Sequence, residues 1–250
     1  MPELYDPFLP RVIPLIFYYL AIAVFGIFMS VKMGQKYRER KVRPPMFLAI
    51  VFVILTIAVF MLAAGLIEAW HDGYFGDLYR ITLPFGYSAI IVADVVLLRF
   101  TNEILQKGNK LILAVLIIGL AIIVVLWLPM NFWGSSPGPG QVSIRTYSTL
   151  ALVAYSFIIY IDIISVAGRA SHATEDHVMK HGLQLMVVAI FCMIGFFVML
   201  IIDTLLIITN INPAGYSIFV YFAWVFAIVF YISMYLGLVM PPWFKKAIHH

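Results

Sequence analysis

Seven apolar stretches, joined by short loops whose cationic residues fall almost entirely on one side, limit this chain to one class of fold. A helix needs about 20 apolar residues to cross a hydrocarbon layer roughly 30 Å thick. Spans of that kind run from Val12 to Val31, Met46 to Ala69, Ile81 to Leu98, Leu111 to Leu128, Tyr147 to Ala167, Leu183 to Ile208 and Tyr216 to Met240. In lipid every backbone polar group must be satisfied within the protein, which leaves α-helices for spans of this length. The expected fold is therefore all-α, a polytopic bundle of seven transmembrane helices forming a single domain over residues 1–250.

Lysine and arginine set the orientation, because cytoplasmic loops carry the excess. If the first connection is cytoplasmic, the inner side holds Lys32, Lys36, Arg38, Arg40, Lys41, Arg43, Arg99, Lys107, Lys110, Arg169, Lys180, Lys245 and Lys246. Only Arg11, Arg80 and Arg145 fall outside. The N-terminus is then outside, the C-terminus cytoplasmic, and the expected home is a plasma or prokaryotic inner membrane. The same distribution accounts for the net charge of +4, so nucleic acid is not an expected partner; the lipid bilayer is. Glu3 and Asp6 precede the first span without a basic n-region, so that span is expected to stay in the mature protein. Cys192, the single cysteine, permits neither an intramolecular disulfide nor a cysteine metal cluster.

Part of the chain echoes itself. Tyr87-Ser-Ala-Ile-Ile-Val-Ala-Asp94 in the third span matches Tyr155-Ser-Phe-Ile-Ile-Tyr-Ile-Asp162 in the fifth at five of eight positions, 68 residues apart. A parallel duplication of helical hairpins gives this pattern; so does chance among apolar residues.

Ionisable groups inside a bilayer are expensive and are the first candidates for function. Asp94, Asp162 and Asp203 are the clear cases. Arg80, Tyr87, Asp94 and Thr101 recur every seven residues, as do Ser148, Tyr155, Asp162 and Arg169. Seven residues are about two turns, so each set is a polar stripe. Facing stripes would form a seam in which Asp94 and Asp162, with Tyr87 and Tyr155, bind a proton, cation or ligand; the competing use is a packing hydrogen bond between helices. Asp203 lies near the outer end of the sixth span and is a further candidate for ion or proton binding.

Glu68-Ala-Trp-His71-Asp72 closes the second span with an acid and an imidazole on one helical face, a spacing that metal sites use in paired form. A metal at Glu68, His71 and Asp72, with Asp77 adding an oxygen, competes with a solvated interfacial cluster. On the inner side, Thr174 is placed to cap the sixth helix, with Glu175 and Asp176 against its dipole; His172, His177 and His181 offer metal binding or pH sensing as the alternative. The longest outer loop, Asn131 to Gly140, carries Trp133, which together with Trp127 can close over a ligand or sit in an interfacial aromatic belt. The aromatic seventh span can line an apolar cavity or simply pack.

Several classes lack their signatures. The seventh span has no lysine for a retinal Schiff base and no Asn-Pro-x-x-Tyr within it, the third span ends without Asp-Arg-Tyr, and no histidine pair lies mid-span for haem. P-loop and His-Glu-x-x-His patterns are missing, and no Gly-x-Ser-x-Gly lies on a strand-to-helix turn as a nucleophile elbow requires, so enzymatic activity is not expected. The closing Tyr235-Leu-Gly-Leu-Val-Met-Pro-Pro-Trp-Phe-Lys-Lys246 resembles the end of the seven-transmembrane sensor region of prokaryotic, archaeal-type sensor kinases. That resemblance implies a sensor whose seventh helix leads to a cytoplasmic transmitter; with about ten residues after the last span, the effector is expected on a separate chain. The leading expectation is a sensor or receptor-like signal-transducing module without its own catalytic domain, with a cytoplasmic signalling partner. A proton- or cation-coupled transporter or channel, and an accessory subunit of a membrane complex, are the alternatives.

Overall fold

Seven α-helices follow one another in a computed structural model that describes residues 6–104, 111–212, 215–241, 244 and 246, without the Arg40 side chain. They are α1 Ile13–Arg40, α2 Arg43–Asp72, α3 Asp77–Ile104, α4 Ile112–Leu126, α5 Arg145–Ala173, α6 His177–Ile208 and α7 Ile218–Val239. Six of these are long and apolar enough to cross a membrane, and α4 is a shorter apolar helix. The chain is an all-α polytopic membrane protein. Of the basic and histidine positions expected on the inner side, Lys107, Lys110, Lys245, His249 and His250 lie outside the described residues, as do Glu3, Pro242 and Trp243 of the two ends.

Helix boundaries depart from the apolar stretches at two informative places. The first is α1, which runs nine residues past Val31 to Arg40, so that Lys32 to Arg38 are helical and only Lys41 and Val42 separate α1 from α2. Lys, Arg, Glu and Gln are good helix formers, and an exposed helix can continue into water. Pro44 and Pro45 then occupy the first turn of α2, where a missing N–H removes no intrahelical bond. The second is α4, which stops at Leu126 although Trp127 and Leu128 are apolar. Leu128 is extended (ψ 139°) ahead of Pro129, as expected for a residue that precedes proline.

Two compact units make up the chain. One comprises Met1–Phe28, Ile50–Leu97 and Asn109–Ser156; the other comprises Met29–Ala49, Leu98–Gly108 and Phe157–His250. In the first, the N-terminal segment is tied to the α2–α3 turn: Phe8 N–H donates to the Gly73 carbonyl at 2.8 Å and Phe75 N–H to the Asp6 carbonyl at 3.2 Å. Phe8 meets Phe75 edge-on, and Phe75 lies tilted against Tyr79, beside it. In the second, α6 and α7 form a hairpin whose inner ends touch at glycines. A methyl group on Gly182 would lie 2.9 Å from the Gly237 carbonyl oxygen, and one on Gly237 would lie 3.0 Å from that of Gly182. Small residues at such crossings let backbones approach closely enough for dispersion to hold helices together in lipid. Large apolar side chains such as Phe17, Val24, Leu113, Leu120, Ile158 and Phe191 remain exposed, which suits a hydrocarbon solvent.

Candidate functional site

In the first unit α3 and α5 meet through a carboxylate. Asp94 is 3% exposed, and the Ser156 hydroxyl of α5 donates to its Oδ2 at 2.7 Å. Ser156 is itself fully buried. Next to it, the Tyr155 hydroxyl reaches α4 and donates to the Val115 carbonyl at 3.2 Å. Gly119 makes room for that phenol, since a β-carbon there would stand 2.8 Å from both Tyr155 Oη and Ile91 Cγ2. Burial is costly for a polar group without a partner, so these bonds place the carboxylate at the junction of two helices, with Tyr155 of the α5 stripe anchored on a third.

Above this pair the outer loop folds inward. Leu128 leads into a single 3-10 turn, Pro129–Asn131, after which Phe132 takes left-handed backbone angles (φ 49°, ψ 47°). Asn131 is fully buried; its Nδ2 donates to the carbonyls of Val125 at 2.7 Å and of Leu126 and Leu128 at 3.3 Å. Its Oδ1 accepts from the Ser148 hydroxyl of α5. Trp133, 8% exposed, donates its indole N–H to the Leu126 carbonyl at 2.9 Å and lies 5.4 Å, centroid to centroid, from the ring of Tyr87. Carbonyls at a helix C-terminus have no intrahelical donors, and two side chains of the loop supply them for α4. Trp127 goes elsewhere: it is half exposed and its indole donates to Ser88 Oγ at 3.0 Å. The two tryptophans therefore serve different partners.

The second unit holds Asp162, half-buried on α5, and Asp203, 8% exposed on α6. Asp203 Oδ1 accepts the Ser217 backbone N–H at 2.8 Å, while Ser217 Oγ caps α7 by accepting from Phe219 N–H at 3.3 Å. The carboxylate thus fixes the entry of α7. At the other end of α7, Lys36 Nζ donates to the carbonyls of Leu238 at 2.6 Å and Val239 at 2.9 Å. A cation at a helix C-terminus meets both the orphan carbonyls and the negative end of the dipole.

Glu68, His71 and Asp72 separate into two arrangements. The Glu68 carboxylate accepts the backbone N–H of Leu78 at 3.3 Å and of Tyr79 at 3.1 Å, capping the first turn of α3, and Asp77 pairs with Arg80 at 3.6 Å. His71 Nδ1 lies 2.8 Å from Asp72 Oδ1 on the exposed surface. Among the described residues no group of three His, Cys, Asp or Glu side chains is gathered to hold a metal ion. The cap of α6 is Asp176, whose side chain accepts from Val178 N–H at 2.9 Å; the expected cap, Thr174, falls two residues early. His181 Nδ1 instead contacts the His177 carbonyl one turn back, at 2.8 Å.

Seven-residue spacing did not select Ser156, Asn131, Trp133 or Lys36. Ser156 had one signal, its place after Tyr155 in the repeated Tyr-Ser dipeptide; Asn131 and Trp133 bond to carbonyls three to seven residues back and Lys36 to the far end of α7, contacts that leave no periodic pattern. No family model matches the chain, and neither a curated protein nor a solved structure does.

Proposed function

We propose that this multi-pass protein is a sensor or receptor-like signal-transducing module of a plasma or inner membrane. One observation carries the reading: the Asp94 carboxylate is buried within α3 and bonded to Ser156 of α5. Protonation or ligand engagement there changes the bond between two helices, and a small helix shift follows when two states differ in their affinity for the bound group. Asp162, Tyr87 and Tyr155 belong to the same responsive stripes. Output is through the inner ends of the helices, where Lys36 holds the end of α7, to a cytoplasmic partner of the kind that a resemblance to archaeal-type sensor kinases implies.

Transport is the weaker reading. Discontinuous helices mark the binding sites of many transporters, whereas α3 continues through Pro84 without a break and Ser88 Oγ donates to the Pro84 carbonyl at 2.7 Å.

Spin labels at Gln35 and Lys246, read by double electron–electron resonance in nanodiscs between pH 5 and 9, test the proposal. The expected result is a distance distribution that shifts by several ångströms with pH or a ligand in the native protein and is frozen in Asp94→Asn. Identical distributions in both proteins at every pH would remove the sensor reading of this site.

A further inference from the structure

The loop after α4 is built in a way that an ordinary surface connection is not. Loops run over the surface because buried backbone strands its polar groups. Here Asn131, Trp133, Gly134 and Ser135 are buried, with Phe132 half-buried among them. Irregular backbone at membrane depth is tolerated only where it is enclosed by protein or lines a polar space; Asn131 and Trp133 to Ser135 are enclosed, while Pro129, Met130 and Ser136 at the two ends are exposed. Gly134 packs so closely on α3 that a β-carbon would meet Tyr79 Cδ1 at 2.8 Å and Arg80 Cγ at 3.0 Å.

Its depth follows from two helices independently. Trp133 lies beside Tyr87, seven residues before Asp94 on α3, and Asn131 is bonded to Ser148, eight residues before Ser156 on α5. At 1.5 Å per residue these separations are about 10 Å and about 12 Å, and Asp94 and Ser156 are bonded to each other. The segment therefore sits one level above the carboxylate, with Tyr155 at the level of the carboxylate itself, one residue before Ser156 on α5.

Two features show that the seated form is held by its surroundings rather than by its own preferences. Phe132 occupies the left-handed region (φ 49°), which a bulky residue rarely adopts and which is found enriched at clamps and switch segments. The Ser135 hydroxyl, 2% exposed, has no hydrogen-bond partner among the described residues, a state that water would relieve on opening.

We propose that residues 129–136 are a gate, a re-entrant plug that closes the outer end of the Tyr87–Ser148–Tyr155–Asp94 column and must lift for a proton or small polar ligand to reach Asp94 from outside. Trp133 is its seal, and Asn131 is its latch to α4 and α5. The gate rests on the reading of Asp94 as the responsive group, yet its test measures access alone, so either can fail without the other.

The experiment places a reporter thiol below the plug, Ser156→Cys in a Cys192→Ser background, in sealed proteoliposomes sorted for orientation. A membrane-impermeant methanethiosulfonate is added on the outer side. With the plug intact the reaction is slow; Trp133→Ala and Asn131→Ala each accelerate it at least tenfold, while the rate from the inner side stays constant. Trp133→Phe keeps the ring and loses the bond to Leu126, and accelerates it two- to fivefold; this milder variant reads the same quantity if Trp133→Ala fails to fold. Outer rates that are equal in the native-plug and Asn131→Ala or Trp133→Phe proteins, or labelling from the inner side only, would overturn the gate.

Discussion

Replacing Asn131 by alanine isolates the latch energetically. The amide has two hydrogens, so of the carbonyls of Val125, Leu126 and Leu128 at 2.7 to 3.3 Å it serves no more than two at once. With the bond accepted from Ser148, three hydrogen bonds are lost. Side-chain hydrogen bonds between membrane helices average about 0.6 kcal/mol, and those in soluble proteins about 1 kcal/mol, which brackets the loss at roughly 2 to 3 kcal/mol. The partners are not orphaned. Leu126 O keeps the Trp133 indole, Val125 O keeps Leu128 N–H, Leu128 O keeps Asn131 N–H, and Ser148 Oγ keeps the Arg145 carbonyl. The lower end, about 2 kcal/mol or some thirtyfold in the unfolding equilibrium, is therefore expected. Reversible unfolding in mixed micelles measures it, and a double-mutant cycle with Ser148→Ala should return a coupling of about 0.5 to 1 kcal/mol. A total effect under about 0.5 kcal/mol, or no coupling to Ser148, would refute the assignment of Asn131 as a latch.

At the α6–α7 crossing, Gly182→Ala drives a methyl against a backbone oxygen and the end of Met240, and about 1 to 3 kcal/mol of stability should be lost by the same unfolding assay. Lys36→Met keeps the apolar stem and removes two bonds to the end of α7; because the ammonium is only part-buried, about 1 kcal/mol is expected, with faster hydrogen exchange at Gly237 to Met240. Stoichiometric zinc should leave the melting temperature unchanged, since the Glu68 carboxylate is occupied by two backbone N–H groups; zinc stabilisation lost in Glu68→Gln and His71→Ala would restore the metal reading of Glu68, His71 and Asp72.

Apolar stretches of 20 residues are legible because the bilayer imposes one length on every span, and intramembrane Asp94 stands out against that background for the same reason. Where hydropathy stops being the controlling quantity, the sequence becomes opaque. The charged run from Lys32 to Arg40 reads as a loop by polarity but is helix by propensity. The end of α4 is set by Pro129 and by side chains that return from Asn131 and Trp133, which composition does not register. Seven-residue stripes lead to Ser148, Tyr155 and Asp162, yet a hydroxyl that donates to Asp94 is that of Ser156, one position past Tyr155 and about 100° further round the helix. A stripe two turns long marks a face only to within the width of a side chain. Thr174 and Asp176 are equally good caps by residue type, and their choice depends on where the chain turns into α6.

The most direct test of the central claim is proton and cation flux in proteoliposomes containing the purified protein, with the Asp94→Asn, Asp162→Asn double variant as control. A sensor is expected to pass no sustained flux above that of protein-free liposomes, in the native form and in the variant alike. Flux through the native protein that disappears in the variant would contradict the account and make these aspartates part of a transport pathway.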